Sequence, residues 1–141
     1  PEAKKVEFIT GPDEKKLATK DWILARLTDK NVRFLDVRTD SEYTGKTAYG
    51  TRGGHIPGAV NLHWLDAIDP STGRFKSASV LKAMYENIGI KPENEIITYC
   101  WMGLRASHSY AILRLLGYKN VRVYDASWSE WGELSSLPVE R

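Results

Sequence analysis

Apolar positions recur along the chain in two alternating rhythms. Trp22, Ile23 and Leu27 make a helical stripe behind Thr19 or Asp21, either of which can cap a helix running to about Leu27. Val32-Arg33-Phe34-Leu35-Asp36-Val37 then reads as a strand. Thr39-Asp40-Ser41-Glu42 supplies a helix start, and the Gly-, Thr- and Tyr-rich stretch from Tyr43 to Gly54 breaks it. His55 to Leu62 reads as a turn into a short strand. Leu65 to Thr72 is a loop with one helical turn, and Asp69 to Gly73 is a turn. Ser77 or Ser79 caps a helix that runs to about Ile88 and stops at Gly89. Glu95–Tyr99 is a central strand. A helix carrying Ala111, Ile112, Leu115 and Leu116 follows and ends at Gly117, and Val121–Tyr124 is a further strand. Trp128 to Arg141 reads as a tail with two tryptophans. Residues 1–15 read as a charged arm or linker, either docking through Val6-Glu7-Phe8-Ile9 or forming a disordered tail, and residues 16–141 read as the domain.

Short strands rich in Val, Ile and Leu thus alternate with helices. That order predicts an α/β domain with a mostly parallel sheet covered by helices. Ligands of such sheets bind beyond the carboxyl ends of the strands. Cys100 stands at such an end, followed by Trp101-Met102-Gly103-Leu104-Arg105-Ala106 and then the helix. Loop amides at a helix start point outward unpaired and favour negative charge. Gly103 lets the backbone curl into an anion-holding nest, and Arg105 adds a cationic fork. These features favour a thiolate nucleophile at Cys100. The residues equally admit a core cysteine, since free cysteine is among the most buried residue types.

Composition narrows the chemistry. The 141 residues carry a net charge of only +2, which gives no bulk electrostatic reason for a nucleic-acid or membrane partner. No apolar run is long enough to span a bilayer. One cysteine excludes an intrachain disulfide and a multi-cysteine zinc site, and it fits a reducing compartment. Neither His63 nor His108 has a second ligand at metal spacing, so no metal and no cofactor are expected.

Four ordered motifs carry a family resemblance. The loop Cys100 to Ala106 resembles the active-site loop of the rhodanese family of sulfurtransferases. Leu35-Asp36-Val37-Arg38 with Glu42-Tyr43, and Gly54-His55-Ile56-Pro57-Gly58-Ala59-Val60-Asn61, are similar to two further family signatures. Tyr124 to Trp131, followed by Leu137-Pro138-Val139-Glu140, resembles the terminal signature of catalytic domains in tandem rhodaneses. The resemblance implies a three-layer fold with a mostly parallel five-stranded central sheet and helices on both faces. It implies a Cys100 persulfide formed from thiosulfate or a similar donor and passed to cyanide or a thiol. Arg105, Trp101, Met102, Gly103, Leu104 and Ala106 would bind the donor, and Arg52 would help hold its negative charge.

Other residues read as structural rather than catalytic. Asp36 would hold a loop, Arg38 would pair with Glu42, His55 would order its turn, and Trp128 and Trp131 would pack. A preceding rhodanese domain in the full-length protein is the expected partner. A sulfur-carrier or interaction module with little turnover is the alternative. Phosphatase or arsenate reductase chemistry is disfavoured, because related phosphatases use a loop one residue longer. Trp101 departs from the family at a position where many members carry arginine, and Met102 replaces a commonly polar residue.

Overall fold

The structure, a computed structural model, describes residues 13–141 together with Val6, Glu7 and Gly11. The expected surface docking of the 6–9 segment lies outside the described residues at Phe8 and Ile9. A 3-10 turn at Glu14–Lys16 leads into α1 (Lys20–Leu24), which Thr19 caps through Trp22 N at 3.2 Å. β1 (Val32–Asp36), α2 (Asp40–Tyr43) and β2 (Val60–Asn61) follow. A 3-10 turn at Trp64–Ala67 precedes the hairpin of β3 (Ile68–Asp69) and β4 (Arg74–Phe75). Then come α3 (Ala78–Asn87), β5 (Glu95–Tyr99), α4 (Leu104–Leu115), β6 (Val121–Val123) and α5 (Ser127–Trp131).

The main sheet has the order β2-β1-β5-β6, and every pairing in it is parallel. The α/β fold with a parallel sheet is therefore as the sequence predicts. The strand count differs: among the described residues the sheet has four strands, and Leu17 adds only a single parallel bridge to Val123 at its edge. Helices cover both faces. Period-two alternation sends Leu35, Ile96, Val121 and Val123 toward α3 and α4, where Leu81, Tyr85, Ile112 and Leu113 are buried. Phe34, Ile97 and Tyr99 face the other way, against Ile23 of α1 and Trp128 and Trp131 of α5. The two tryptophans expected as packing residues are both buried. They sit on a helix rather than in an irregular tail.

This strand order positions the site. β5 lies between β1 and β6, with Asp36 beside Tyr99 and Thr98 beside Val123. Because all three strands run in the same direction, the segments that leave them gather at one edge of the sheet. Those segments are three of the four motifs: Arg38 to Tyr43, Cys100 to Ala106, and Tyr124 to Trp131.

Candidate active site

Cys100 is the residue immediately after β5, and only 1% of it is exposed. The core and nucleophile readings of this cysteine coincide in space: it closes the apolar layer and opens the loop. The chain turns through Trp101 and Met102 and reaches Gly103 at φ 78°, in the left-handed region. A side chain at position 103 would bring its Cβ to 2.9 Å from the Asp125 carbonyl oxygen. Glycine is thus required both for its torsion and for its lack of a side chain. α4 begins at the next residue.

Several amides of this turn have no protein partner. Among the described residues, the N–H groups of Trp101, Met102, Arg105 and Ala106 donate to no protein acceptor. Four free donors around one thiol make a ready site for a sulfur-centred anion.

The loop is held from the β6 side by Ser127. Its hydroxyl donates to Tyr124 O at 2.6 Å and accepts from Cys100 N at 3.1 Å and Gly103 N at 3.2 Å. Ser127 sits at φ 55°, in the left-handed region that favours glycine, and it is fully buried. Two backbone bonds complete the tether, from Trp128 N to Cys100 O at 3.0 Å and from Ser129 N to Trp101 O at 2.9 Å. Sequence reasoning did not single out Ser127. The signal available was its place in the terminal motif, just past a strand that neighbours β5.

From the β1 side the loop is held by an ion pair. Arg105 donates to both oxygens of Glu42, each at 2.8 Å. The same carboxylate accepts from Thr39 N at 3.1 Å and Thr39 Oγ1 at 2.9 Å, closing the capping box of α2. Burial of Glu42 opposes its ionisation. The Arg105 fork and the two Thr39 donors outweigh that and hold its carboxyl at about 2. The Arg105 guanidinium is pushed above its ordinary range first by its bonds to Glu42, against burial, and then by the charge of Glu42 and by its contact with Cys100.

Arg38 does not pair with Glu42 as expected. Its Nε lies 3.0 Å from both oxygens of Asp36, its NH2 lies 2.6 Å from Oδ2, and NH2 also donates to Gly54 O at 2.7 Å. The guanidinium lies 4.5 Å from the Trp128 ring centroid. β1 ends by turning Arg38 back onto its own strand, while Glu42 faces α4.

Glu42, Tyr49, Trp101 and Arg105 line a pocket of about 420 Å³ at this edge. Tyr49 meets the Trp101 ring edge-on, with centroids 6.1 Å apart. Met102 and Leu104 face solvent, at 57% and 78% exposure, and Ala106 is buried under the loop.

The structure does not bring Arg52 to this pocket. Its guanidinium donates to the carbonyls of Gly132 at 3.0 Å, Leu137 at 2.8 Å and Trp131 at 2.8 Å, and to that of Leu134. It thereby closes off the C-terminal end of α5. His55 orders its turn as expected, with Nδ1 2.9 Å from Tyr43 O and its ring stacked on that of Tyr43.

A cysteine-bearing loop between a parallel strand and a helix, with a motif from each neighbouring strand beside it, defines a class. The family model of the rhodanese-like domain matches residues 19–134, and the chain belongs to that family. It is 43% identical over 116 residues to the sulfur carrier protein TtuD of Thermus thermophilus, covering 76% of this chain and 40% of that protein. It is 40% identical over 138 residues to a thiosulfate sulfurtransferase of Corynebacterium glutamicum, covering 91% of this chain and 45% of that protein. The chain thus spans less than half the length of these curated relatives. Among solved structures, an anaerobic ergothioneine biosynthesis enzyme from Chlorobium limicola superposes with a TM-score of 0.82 at 24% identity. That alignment covers 89% of this chain and 32% of the enzyme, and it bears on the fold alone.

Proposed function

We propose that this domain is a sulfurtransferase that carries sulfane sulfur on Cys100. The observation that carries the reading is the set of four unpartnered amides in the loop directly after a single thiol, with the Arg105 guanidinium beside that thiol. The Cys100 thiolate attacks the outer sulfur of thiosulfate or a similar donor. The donor S–S bond breaks, sulfite leaves with the electron pair, and Cys100 is left as a persulfide anion. A cyanide ion or a thiolate then attacks the terminal sulfur, which leaves with it and restores the Cys100 thiolate. The loop amides and Arg105 hold the anion through both steps without moving a proton. Trp101, Met102, Gly103, Leu104 and Ala106 act by shaping this loop. Residues 16–141 form the catalytic unit, residues 1–15 an arm, and the full-length protein carries a preceding rhodanese domain. The greater length of the relatives supports that last point.

One observation favours a second reading, a sulfur carrier that delivers to a large partner. Tyr49 and Trp101 line the pocket, and Tyr49 and the loop residues Met102 and Leu104 face solvent as large apolar side chains. The relative named a sulfur carrier protein supports the same reading. Cys100→Ser tests both, because neither scheme survives loss of the thiol. Thiosulfate-dependent thiocyanate formation should vanish, and retained activity rejects Cys100 as the carrier.

A further inference from the structure

Glu42 places a negative charge beside an anion-binding loop. It is a buried carboxylate, ionised at every ordinary pH, and it is bound to the cation that faces the thiol. Among the described residues, Arg105 is the one cationic side chain lining the pocket. Both forks of that contact are closed at 2.8 Å. A guanidinium paired in this way presents a dipole to the pocket rather than a full charge. Its attraction for an incoming anion therefore falls more steeply with distance. Negative charge is then held by that dipole together with the partial charge of the loop amides. Tyr49 and Trp101 complete the lining and bring no cation.

Glu42 has little freedom to leave. Thr39 holds the same carboxylate through its amide and hydroxyl, and 3% of the Glu42 side chain is exposed. The second negative charge of a small dianion would therefore meet a fixed carboxylate behind the guanidinium.

We infer that Glu42 is a specificity-determining residue that lowers the preference of this site for doubly charged donors relative to singly charged ones. The inference rests on the sulfurtransferase reading and concerns its donor class. Thiosulfate and methanethiosulfonate form a matched pair. Each offers a terminal sulfur to the Cys100 thiolate. Attack breaks one S–S bond in each and expels sulfite or methanesulfinate, leaving the same Cys100 persulfide. The donors differ by one negative charge and a methyl group in place of an oxygen.

The test is kcat/KM for both donors, with cyanide as acceptor, in the wild type and in Glu42→Gln. Glutamine also serves at this position of a capping box, so α2 keeps its start. The ratio of thiosulfate to methanethiosulfonate should rise about five-fold in the variant, and the rise should shrink at high salt. A ratio that stays constant or falls overturns the inference, whatever happens to each rate or to Tm. Should the variant fail to fold, the wild type decides alone. The two donors should then show parallel salt dependences, and a markedly steeper dependence for thiosulfate contradicts the inference. Absence of turnover with both donors in the wild type contradicts the sulfurtransferase reading and this inference with it. Turnover with an unmoved ratio contradicts this inference only.

Discussion

The buried carboxylates of two ion pairs, Asp36 and Glu42, stand six residues apart where β1 ends, and their partners differ. Asp36 and Arg38 are both sealed, at 0% and 2% side-chain exposure. Arg38 spends its donors on Asp36 and Gly54 and its face on Trp128. Glu42 is as buried as Asp36, but its partner Arg105 is 26% exposed and lines the pocket. The depth of the carboxylate does not separate a structural pair from a functional one. What separates them is whether the guanidinium reaches the pocket, as Arg105 does and the sealed Arg38 does not.

The comparison can be broken from the structural side first. Arg38→Ala leaves Asp36 buried without a cation, a loss expected to cost about 3–5 kcal/mol. Urea denaturation should show this, and a cost below 1 kcal/mol would mean that Asp36 finds another partner. Arg105→Ala should cost less, about 1–2 kcal/mol, because Thr39 still donates twice to Glu42. Its larger effect should fall on donor use, and an unchanged donor KM and rate would remove Arg105 from the site.

Acid should sharpen the same contrast. The Glu42 carboxyl titrates at about 2 in the folded protein against 4.5 when free. A carboxyl whose folded value is depressed stabilises the fold above its unfolded value. That stabilisation is lost as pH falls toward the folded value. The stability advantage of the wild type over Glu42→Gln should be complete above about pH 5 and shrink by about 3 kcal/mol on approaching pH 2. A difference that is flat with pH would show that the pair does not form in solution.

The smallest effects concern the tether on the other side of the loop. Ser127→Ala removes the acceptor of Cys100 N and Gly103 N while keeping a side chain in the left-handed region, and should cost about 1–3 kcal/mol. Ser127→Gly removes the same hydroxyl but relieves the torsion, so it should be the milder change by about 1 kcal/mol. Equal losses would mean that the torsion at Ser127 stores no strain.

The parts of this molecule legible in its sequence are those set by local rhythm. β5, the loop after Cys100 and α4 announce themselves by a β-prone run, a glycine and helical spacing. Residue type narrows two helix starts to Thr19 or Asp21 and to Ser77 or Ser79, and the structure takes Thr19 and Ser77. What escaped is non-local. The partner of Glu42 was sought at Arg38, four residues away, and lies 63 residues away at Arg105. Strand order, which brings β1 beside β5, decides that pairing. α5 escaped because its five residues begin at a left-handed serine and no side chain caps them. Arg52 was read by its likeness to an anion-binding arginine, but carbonyls about 80 residues downstream claim its donors. The β3–β4 hairpin announced only its turn, since two-residue strands carry no period.

The central claim is that the buried thiol at the end of β5 accepts and gives up a sulfur atom. Intact-mass measurement of the protein after thiosulfate treatment, and again after cyanide, tests it most directly. The mass should rise by one sulfur atom and return to its starting value, with both changes absent in Cys100→Ser. A protein whose mass never changes, or a Cys100→Ser variant that still gains the sulfur, would contradict it.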